Sequence, residues 1–212
     1  MLTVEQAAAC GVVPVVVLDD ADRAVPVARA LLKGGINAME ITFRTAAARD
    51  SIARVAAEVP EMTVGAGTVI NPDQLRAAVD AGARFIVSPG SDAELIREAA
   101  RLETAMIPGV LTPSEIMLGL RLGVKVFKFF PAESFGGLKT LKALGGPFPQ
   151  IKFIPTGGIS MANAGEYFKN PQVLAVGGSW MAARDMIRAG DYEGIAGKSA
   201  EAAALFREMR GA

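Results

Sequence analysis

Short apolar segments, rich in β-branched and aromatic residues, alternate along the chain with longer segments in which apolar positions follow a helical spacing. The apolar segments begin near Val13, Ala38, Thr63, Arg84, Ala105, Lys125, Lys152 and Val173. Their starts are 20 to 27 residues apart, which leaves room for one helix after each strand. Eight strand-plus-helix units at this period predict an α/β fold of the (β/α)8 TIM barrel type.

Residues at the predicted turns support the same assignment of strands and helices. Helix N-caps are predicted at Asn71, which precedes a proline, and at Thr112 and Ser91, each with a glutamate three residues later. Thr3, followed by a glutamine three residues later, predicts a short extra N-terminal helix before the first strand. No linker or change of composition interrupts the pattern, so we expect residues 1–212 to form a single domain.

The composition and charge limit the chemistry that such a fold can carry. The 22 basic and 22 acidic residues form no long run of one sign, so no nucleic-acid or membrane partner is expected. The chain has no histidine and one cysteine, Cys10, which excludes histidine-activated nucleophiles, histidine-containing zinc sites and an internal disulfide. Neither a secretory signal pattern nor an apolar run of about 18 residues is present, so we expect a cytoplasmic protein. Acid–base chemistry must then come from carboxylates, Lys, Tyr, Cys or water.

Lys128 is the first candidate for chemistry, because it stands inside an apolar strand segment, residues 126–130. Alternation places it on one face of this strand, and neither face of a barrel strand meets bulk water. An amine kept away from water is more readily neutral and nucleophilic. The alternative is a structural lysine that reaches the rim or pairs with a carboxylate. Lys125 and Lys152 begin their strands and are expected to be solvated.

The second predicted strand carries three polar residues, Glu40, Thr42 and Arg44, on one face. Polar groups inside a fold need partners or a ligand. One interpretation is an internal ion pair between Glu40 and Arg44 with no chemical role. The other gives Glu40 the proton transfers of a reaction and gives Arg44 the binding of a substrate carboxylate, which fits the guanidinium fork.

Glycines follow the last two predicted strands. Thr156 precedes Gly157 and Gly158 after the seventh strand, and Gly178 and Ser179 follow the eighth. Either group alone is compatible with a tight turn, but (β/α)8 enzymes often bind phosphate with the backbone N–H groups of these two loops. Together the two loops predict a phosphorylated ligand.

Three other motifs carry weaker signals. Residues 65–68 hold only a partial dinucleotide-binding pattern and are expected to form a tight strand exit, with the Thr68 hydroxyl at the barrel mouth. The carboxylates at 19–22 are expected to cap the first helix and face solvent, and Glu133 is expected to be a loop or rim residue. The sequence therefore predicts no metal site and no cofactor.

Six motifs together resemble the bacterial 2-dehydro-3-deoxy-6-phosphogluconate (KDPG) aldolases, also described as 4-hydroxy-2-oxoglutarate (KHG) aldolases. The motifs are residues 39–45, 64–69, 88–90, 127–133, 155–159 and 177–180, and the similarity runs in order from about Pro14 to Trp180. The lysine motif at 127–133 is highly specific. The resemblance implies a metal-independent class I aldolase on a (β/α)8 barrel, assembled as a homotrimer.

By position, the resemblance also implies a role for each candidate residue. Lys128 matches the Schiff-base lysine and Glu40 the general acid/base. The implied substrate-binding residues are Arg44 and Thr68 at the pyruvate carboxylate, Pro89 and Phe130 at the pocket wall, and Gly157, Gly158, Gly178 and Ser179, with Thr156 beside them, at the phosphate.

On this resemblance we expect reversible cleavage of KDPG into pyruvate and D-glyceraldehyde 3-phosphate, with cleavage of KHG into pyruvate and glyoxylate as a second activity. Lys128 would form an imine at C2, and Glu40 would take the C4 hydroxyl proton as the C3–C4 bond breaks. Two alternatives stay open. One is a sugar-phosphate isomerase or epimerase with Glu40 as base and Lys128 as its electrostatic partner; the other is a non-catalytic sugar-phosphate-binding barrel.

Overall fold

Parallel strands alternate with helices, as the hydrophobic pattern predicts. The computed structural model describes residues 4–211 of the chain. Within them the strands are β1 (Val12–Val16), β2 (Ala38–Thr42), β3 (Thr63–Gly67), β4 (Phe85–Val87), β5 (Ala105–Ile107), β6 (Gly109–Val110), β7 (Val126–Phe129), β8 (Lys152–Pro155) and β9 (Val176–Gly178). The helices are α1 (Val4–Ala7), α2 (Ala24–Lys33), α3 (Ala48–Glu58), α4 (Pro72–Asp80), α5 (Ala93–Arg101), α6 (Pro113–Arg121), α7 (Gly137–Gly145), α8 (Met161–Phe168), α9 (Arg184–Ala189) and α10 (Tyr192–Arg210). None of the helices described is long and apolar enough to cross a membrane.

The strands form a curled, parallel arrangement. One hydrogen-bonded sheet has the order β5-β4-β3-β2-β1-β9, and a second has the order β6-β7-β8. Isolated parallel bridges join Phe153 of β8 to Val173, and Thr156 to Gly177 of β9, so the two sheets adjoin at this edge. Because the strands run parallel, their carboxyl ends lie at one end of the fold, where α/β proteins carry their sites.

A proline divides the strand that was predicted to begin at Ala105. β5 pairs with β4, while β6, which starts after Pro108, pairs with β7. Proline has no N–H to donate, and the Pro108 carbonyl accepts a hydrogen bond from the Lys128 N–H at 2.9 Å. The parallel α/β class is confirmed, but hydrogen bonding divides the strands into groups of six and three instead of the eight continuous strands predicted.

Both faces of the curled sheet are buried against apolar residues. Phe127 and Phe129 belong to a large cluster that includes residues of the surrounding helices. A smaller cluster is formed by inward-facing strand residues with the end of α1: Ala7, Ala8, Val13, Phe85, Val87, Ile107, Val126, Ile154 and Ala175. The short extra helix is thus confirmed and packs against this inner cluster, although Thr3, its predicted cap, lies outside the described residues.

Of the helix caps predicted at Asn71, Thr112 and Ser91, the first two are confirmed. Asn71 accepts a hydrogen bond from a backbone N–H of the first turn at 2.9 Å, and Thr112 forms a capping box. The cap predicted at Ser91 is wrong. Asp92 caps α5 instead, accepting from a first-turn N–H at 2.8 Å, and the Ser91 hydroxyl donates to the Gly109 carbonyl at 2.9 Å. A neighbouring carboxylate takes the cap because it is a charged acceptor at a position that favours anions.

Candidate active site

A buried lysine and a buried carboxylate meet between β7 and β2. Lys128 Nζ lies 3.3 Å from Glu40 Oε1, and the two residues are only 4% and 3% exposed. Nζ also lies 5.1 Å from the centroid of the Phe130 ring, within the range of a cation–π contact. Glu40 therefore pairs with Lys128 and not with Arg44, the partner that the strand pattern left open. The lysines that begin the sixth and seventh predicted strands are exposed, as expected.

The end of β3 provides space for the Glu40 carboxylate. A Cβ atom at Gly67 would lie 2.9 Å from Glu40 Cδ, closer than real Cβ contacts come. The next residue, Thr68, has a φ of 58°, a conformation that is an outlier for a β-branched side chain. Its hydroxyl oxygen accepts a hydrogen bond from Arg44 Nε at 3.2 Å. The exits of β2 and β3 are thereby tied together beside Glu40.

A small space, here called the inner cavity, lies between the paired residues and the apolar inner strand faces. Its volume is about 10 Å³, and its walls are Val13, Val15, Glu40, Val87, Ile107, Lys128, Ile154, Thr156 and Gly177. This is about the room that one water molecule occupies. The Lys128 amine and the Glu40 carboxylate thus face each other among mostly apolar walls.

A larger space, here called the outer cavity, opens at the carboxyl ends of the strands and has a volume of about 370 Å³. Val15 and Thr156 line both cavities, so the inner and outer cavities adjoin. Seven of the predicted binding residues line the outer cavity: Arg44, Phe130, Thr156, Gly157, Gly158, Gly178 and Ser179. Thr68 joins them through its hydrogen bond with Arg44. Pro89 is not among the lining residues; it lies at the exit of β4, where its carbonyl packs against Gly109.

Two residues after β7 hold the loop that follows β8. The N–H groups of Ala132 and Glu133 donate to the carbonyls of Thr156 and Gly157 at 2.8 and 3.0 Å. A Cβ atom at Gly158, whose φ is 80°, would lie 2.6 Å from Glu133 Cβ. Among the described residues, the N–H groups of Gly158 and Ser179 have no protein acceptor. Two fixed backbone donors in the lining of a cavity are well suited to an anion.

Glu133, which contacts the loop after β8, is itself held by a hydrogen bond. Its carboxylate accepts a hydrogen bond from the hydroxyl of Tyr167, which is 2% exposed. Burial, together with this hydrogen bond, raises the pKa of Tyr167 above its usual range. No group of three or more His, Cys, Asp or Glu side chains in residues 4–211 is arranged to hold a metal ion.

One charged residue of the outer cavity was missed by the sequence reasoning. Arg184, the first residue of α9, lines the cavity, and its Nε donates to Asp19 Oδ2 at 2.9 Å. Arg188 donates to the same oxygen at 3.0 Å. The hydrogen bond from Arg184 holds the pKa of Asp19 below its usual range. Within the carboxylates at 19–22, Asp20 caps the 3-10 turn Ala21–Arg23 that leads into α2, and not α2 itself as predicted, while Asp19 holds Arg184 of the site.

A signal for Arg184 existed in the chain. Asp19 follows β1, and Arg184 follows β9, which is the hydrogen-bonded neighbour of β1. Opposite charges after neighbouring parallel strands are brought to the same end of the fold. That adjacency becomes visible only when the first and last strands are placed side by side.

Comparison with known proteins adds independent evidence. The family described as KDPG and KHG aldolase matches residues 4–197. The "KHG/KDPG aldolase" of Escherichia coli (strain K12) is 50% identical over 191 residues, covering 90% of this chain and 90% of that protein. A KDPG aldolase structure from Legionella pneumophila, with pyruvate captured at low pH as a covalent carbinolamine intermediate, has a TM-score of 0.91 at 42% identity and covers 93% of this chain and 97% of its own. The aldolase of Zymomonas mobilis ZM4 with 3-phosphoglycerate has a TM-score of 0.87 at 42% identity, covering 95% and 96%.

Proposed function

The chain belongs to the KDPG and KHG aldolase family, and from this membership we propose that it is a class I aldolase that reversibly cleaves KDPG into pyruvate and D-glyceraldehyde 3-phosphate. The observation that carries the proposal is the buried pair of Lys128 and Glu40, 3.3 Å apart at the inner end of a cavity. A Schiff-base aldolase needs an amine nucleophile with a proton carrier beside it. In the related Legionella pneumophila structure the pyruvate is a carbinolamine, the species formed when an amine adds to a ketone.

We further propose that the curled sheet closes into a (β/α)8 barrel that forms a single domain. β5 and β6 would be the two halves of one strand on either side of Pro108, and the bridge between Thr156 and Gly177 would join β8 to β9. The strands would then number eight, with their carboxyl ends around both cavities. A homotrimer and a cytoplasmic location stay predictions.

The first chemical step is addition of the Lys128 amine to the C2 carbonyl of the substrate. Glu40 Oε1 lies close enough to accept a proton from the Lys128 ammonium, which frees the lone pair on Nζ. The C–N bond forms, the carbonyl oxygen is protonated, and loss of water leaves a protonated imine. The mostly apolar inner cavity keeps other water away from this carbon.

Cleavage follows because the imine accepts the electron pair of the C3–C4 bond. Glu40, directly or through one water, takes the proton of the C4 hydroxyl, and the aldehyde leaves. The remaining neutral enamine is protonated at C3 by Glu40, and hydrolysis of the imine releases pyruvate and regenerates the Lys128 amine. The same carboxylate thus carries the proton in each step, which accounts for catalysis by a chain without histidine.

The other predicted residues take binding roles in this proposal. Arg44, oriented by its bond to Thr68, would bind the carboxylate of the pyruvate portion, for which a guanidinium fork is suited. Phe130 would form part of the pocket wall, and Pro89, which does not line the cavity itself, would support the wall from the exit of β4 through its contact with Gly109. The phosphate would be bound by the backbone of Gly157, Gly158, Gly178 and Ser179, beside Thr156. In support, Gly158 and Ser179 carry backbone donors without a protein acceptor in residues 4–211.

The proposal includes cleavage of KHG into pyruvate and glyoxylate, because the Escherichia coli relative is named for both substrates. The expected partners are therefore pyruvate and a phosphorylated keto-sugar acid. The isomerase or epimerase and the non-catalytic barrel are not favoured, since aldolases match the chain over 90% of its length.

The test is to trap the imine. The protein is incubated with pyruvate and borohydride, and the adduct is located by peptide mass spectrometry, alongside an assay of KDPG cleavage. We expect one adduct, on Lys128, and its loss together with turnover in Lys128→Ala. Lys125→Ala, an exposed position just before the same strand, is the matched control and should keep both. Full trapping in Lys128→Ala would overturn the assignment.

A further inference from the structure

The outer cavity contains two positive charges and no negative one among the described residues that line it. These are Arg44, which follows β2, and Arg184, which begins α9 after β9. The donors of Gly158 and Ser179 that lie with Arg184 in this lining are neutral N–H groups. A ligand with two anionic ends would therefore meet one guanidinium after β2 and another after β9. The proposed function uses only the first of these.

Asp19 holds Arg184 in place without cancelling the local positive charge. Arg184 donates through Nε and Nη2 to the two oxygens of Asp19, and this two-point contact fixes the plane of the guanidinium group. Arg188 binds the same carboxylate at 3.0 Å. Two guanidinium groups share one carboxylate, so the three side chains keep a net charge of +1. Arg184 lines the cavity and Arg188 does not, so this net charge lies beside the cavity.

We propose that Arg184, held by Asp19, binds the phosphate of the substrate and sets the preference for phosphorylated over unphosphorylated aldols. This inference rests on the proposed function. KDPG carries its phosphate on C6, whereas KHG ends in a carboxylate at C5. When both are anchored at C2 by the same lysine, the phosphate reaches further toward the mouth of the cavity. The neutral backbone donors bind either anion, and Arg184 adds a charge at the end that the longer substrate alone reaches.

Kinetics with both substrates test the role of Arg184. A single charge-assisted hydrogen bond changes binding by about 10- to 100-fold. We expect Arg184→Gln to lower kcat/KM for KDPG by about that factor, and to lower kcat/KM for KHG by less than about threefold. Arg54→Gln is the matched control, because the Arg54 side chain is 48% exposed, as is that of Arg184, and binds Asp22 at 2.7 Å, but it does not line the cavity. It should change neither value by more than about twofold. An equal fall for both substrates in Arg184→Gln, or the same selective fall in Arg54→Gln, would overturn the inference.

Titration with inorganic phosphate separates this inference from the proposed function, because it needs no turnover. We expect calorimetry to show phosphate binding to the wild-type protein that weakens at least about fivefold in Arg184→Gln and is retained in Arg54→Gln. Equal phosphate binding by the wild type and Arg184→Gln contradicts the role of Arg184 even if KDPG is cleaved. A wild type that traps no pyruvate and cleaves neither aldol contradicts the proposed function instead.

Discussion

The two cavities are built to hold a ligand in opposite ways. The inner cavity has a volume of about 10 Å³ and is lined mostly by apolar residues around the buried pair of Lys128 and Glu40. The outer cavity has a volume of about 370 Å³ and presents glycine backbone and partly exposed arginine side chains. Charged side chains that two strands fix in a dry space suit bond making, while backbone donors in a wider space suit recognition. Substitutions in the inner cavity should therefore lower kcat, and those in the outer cavity should raise KM.

Glu40→Gln should have the largest effect among the variants that keep Lys128. The amide has nearly the same shape but cannot take the C4 hydroxyl proton, so we expect kcat to fall by about 10²- to 10⁴-fold. Pyruvate should still be trapped on Lys128 by borohydride, although more slowly. Steady-state cleavage and the extent of trapping check both points. A turnover close to that of the wild type would assign the proton transfers to a different group.

Gly67→Ala should have the next largest effect. The new Cβ atom would lie 2.9 Å from Glu40 Cδ and displace the carboxylate, so we expect kcat to fall by about 10- to 100-fold with little loss of stability. Gly65→Ala is the matched control on the same face of β3, because its Cβ atom would meet the Phe85 ring at 2.4 Å instead. That variant should lose about 1–3 kcal/mol of stability while its folded fraction keeps its turnover. A loss of kcat in Gly65→Ala but not in Gly67→Ala would contradict the prediction that Gly67 affects catalysis and Gly65 affects stability.

Gly158→Ala tests the outer cavity. Its φ of 80° and the 2.6 Å approach to Glu133 Cβ would shift the backbone donors, so we expect KM for KDPG to rise about tenfold with kcat nearly unchanged. Gly123→Ala is the control, because Gly123 has a similar φ of 85° with no atom near its Cβ position and lies before β7, away from the cavity. It should lose about 1–2 kcal/mol of stability from the left-handed conformation without a change in KM. A similar rise in KM in both variants would show that backbone strain in general raises KM, and would contradict a specific role for the Gly158 loop in binding KDPG.

Tyr167→Phe should have the smallest effect, because Tyr167 supports the outer cavity only through Glu133. Losing the hydrogen bond to a carboxylate should cost about 1–2 kcal/mol near pH 7 and raise KM for KDPG by less than about fivefold. The folded-state pKa of Tyr167 is raised, so its contribution is complete below the unfolded pKa of about 10 and is lost as pH rises above it. Urea unfolding from pH 8 to 11 should therefore show the wild type and the variant converging. If the difference in unfolding free energy between the wild type and Tyr167→Phe stayed the same at all these pH values, the role given to the Tyr167 hydroxyl would be contradicted.

The inner cavity could be predicted from the sequence far better than the outer one. Side chains alternate between the two faces of a strand, which places Lys128 and Glu40 on inward faces. This assignment stays the same if the predicted ends of the strands are wrong by a residue or two. The division of one predicted strand at Pro108 was missed because the apolar pattern continues across it. Only the different partners of β5 and β6 reveal the break.

The outer cavity depends on contacts between distant segments, which periodicity does not encode. Arg184 reaches the cavity because a short 3-10 helix, Trp180–Ala182, separates it from β9 and because Asp19 binds it from the other end of the chain. The cap at Asp92 instead of Ser91 has a local cause, since two adjacent polar residues compete for the same N–H groups. Neither the position of Arg184 nor the choice between Ser91 and Asp92 as the cap is encoded in the hydrophobic periodicity of the chain.

The use of backbone amides in the outer cavity has a consequence for how the protein responds to acidity. Among the described residues in its lining, the ionisable side chains are arginines, which do not lose their protons in water, and the chain has no histidine. A phosphate monoester held there would gain or lose affinity only through its own second ionisation, near pH 6. The affinity for the phosphate would thus follow the charge of the ligand, while the charge of the cavity lining would stay the same across the physiological pH range.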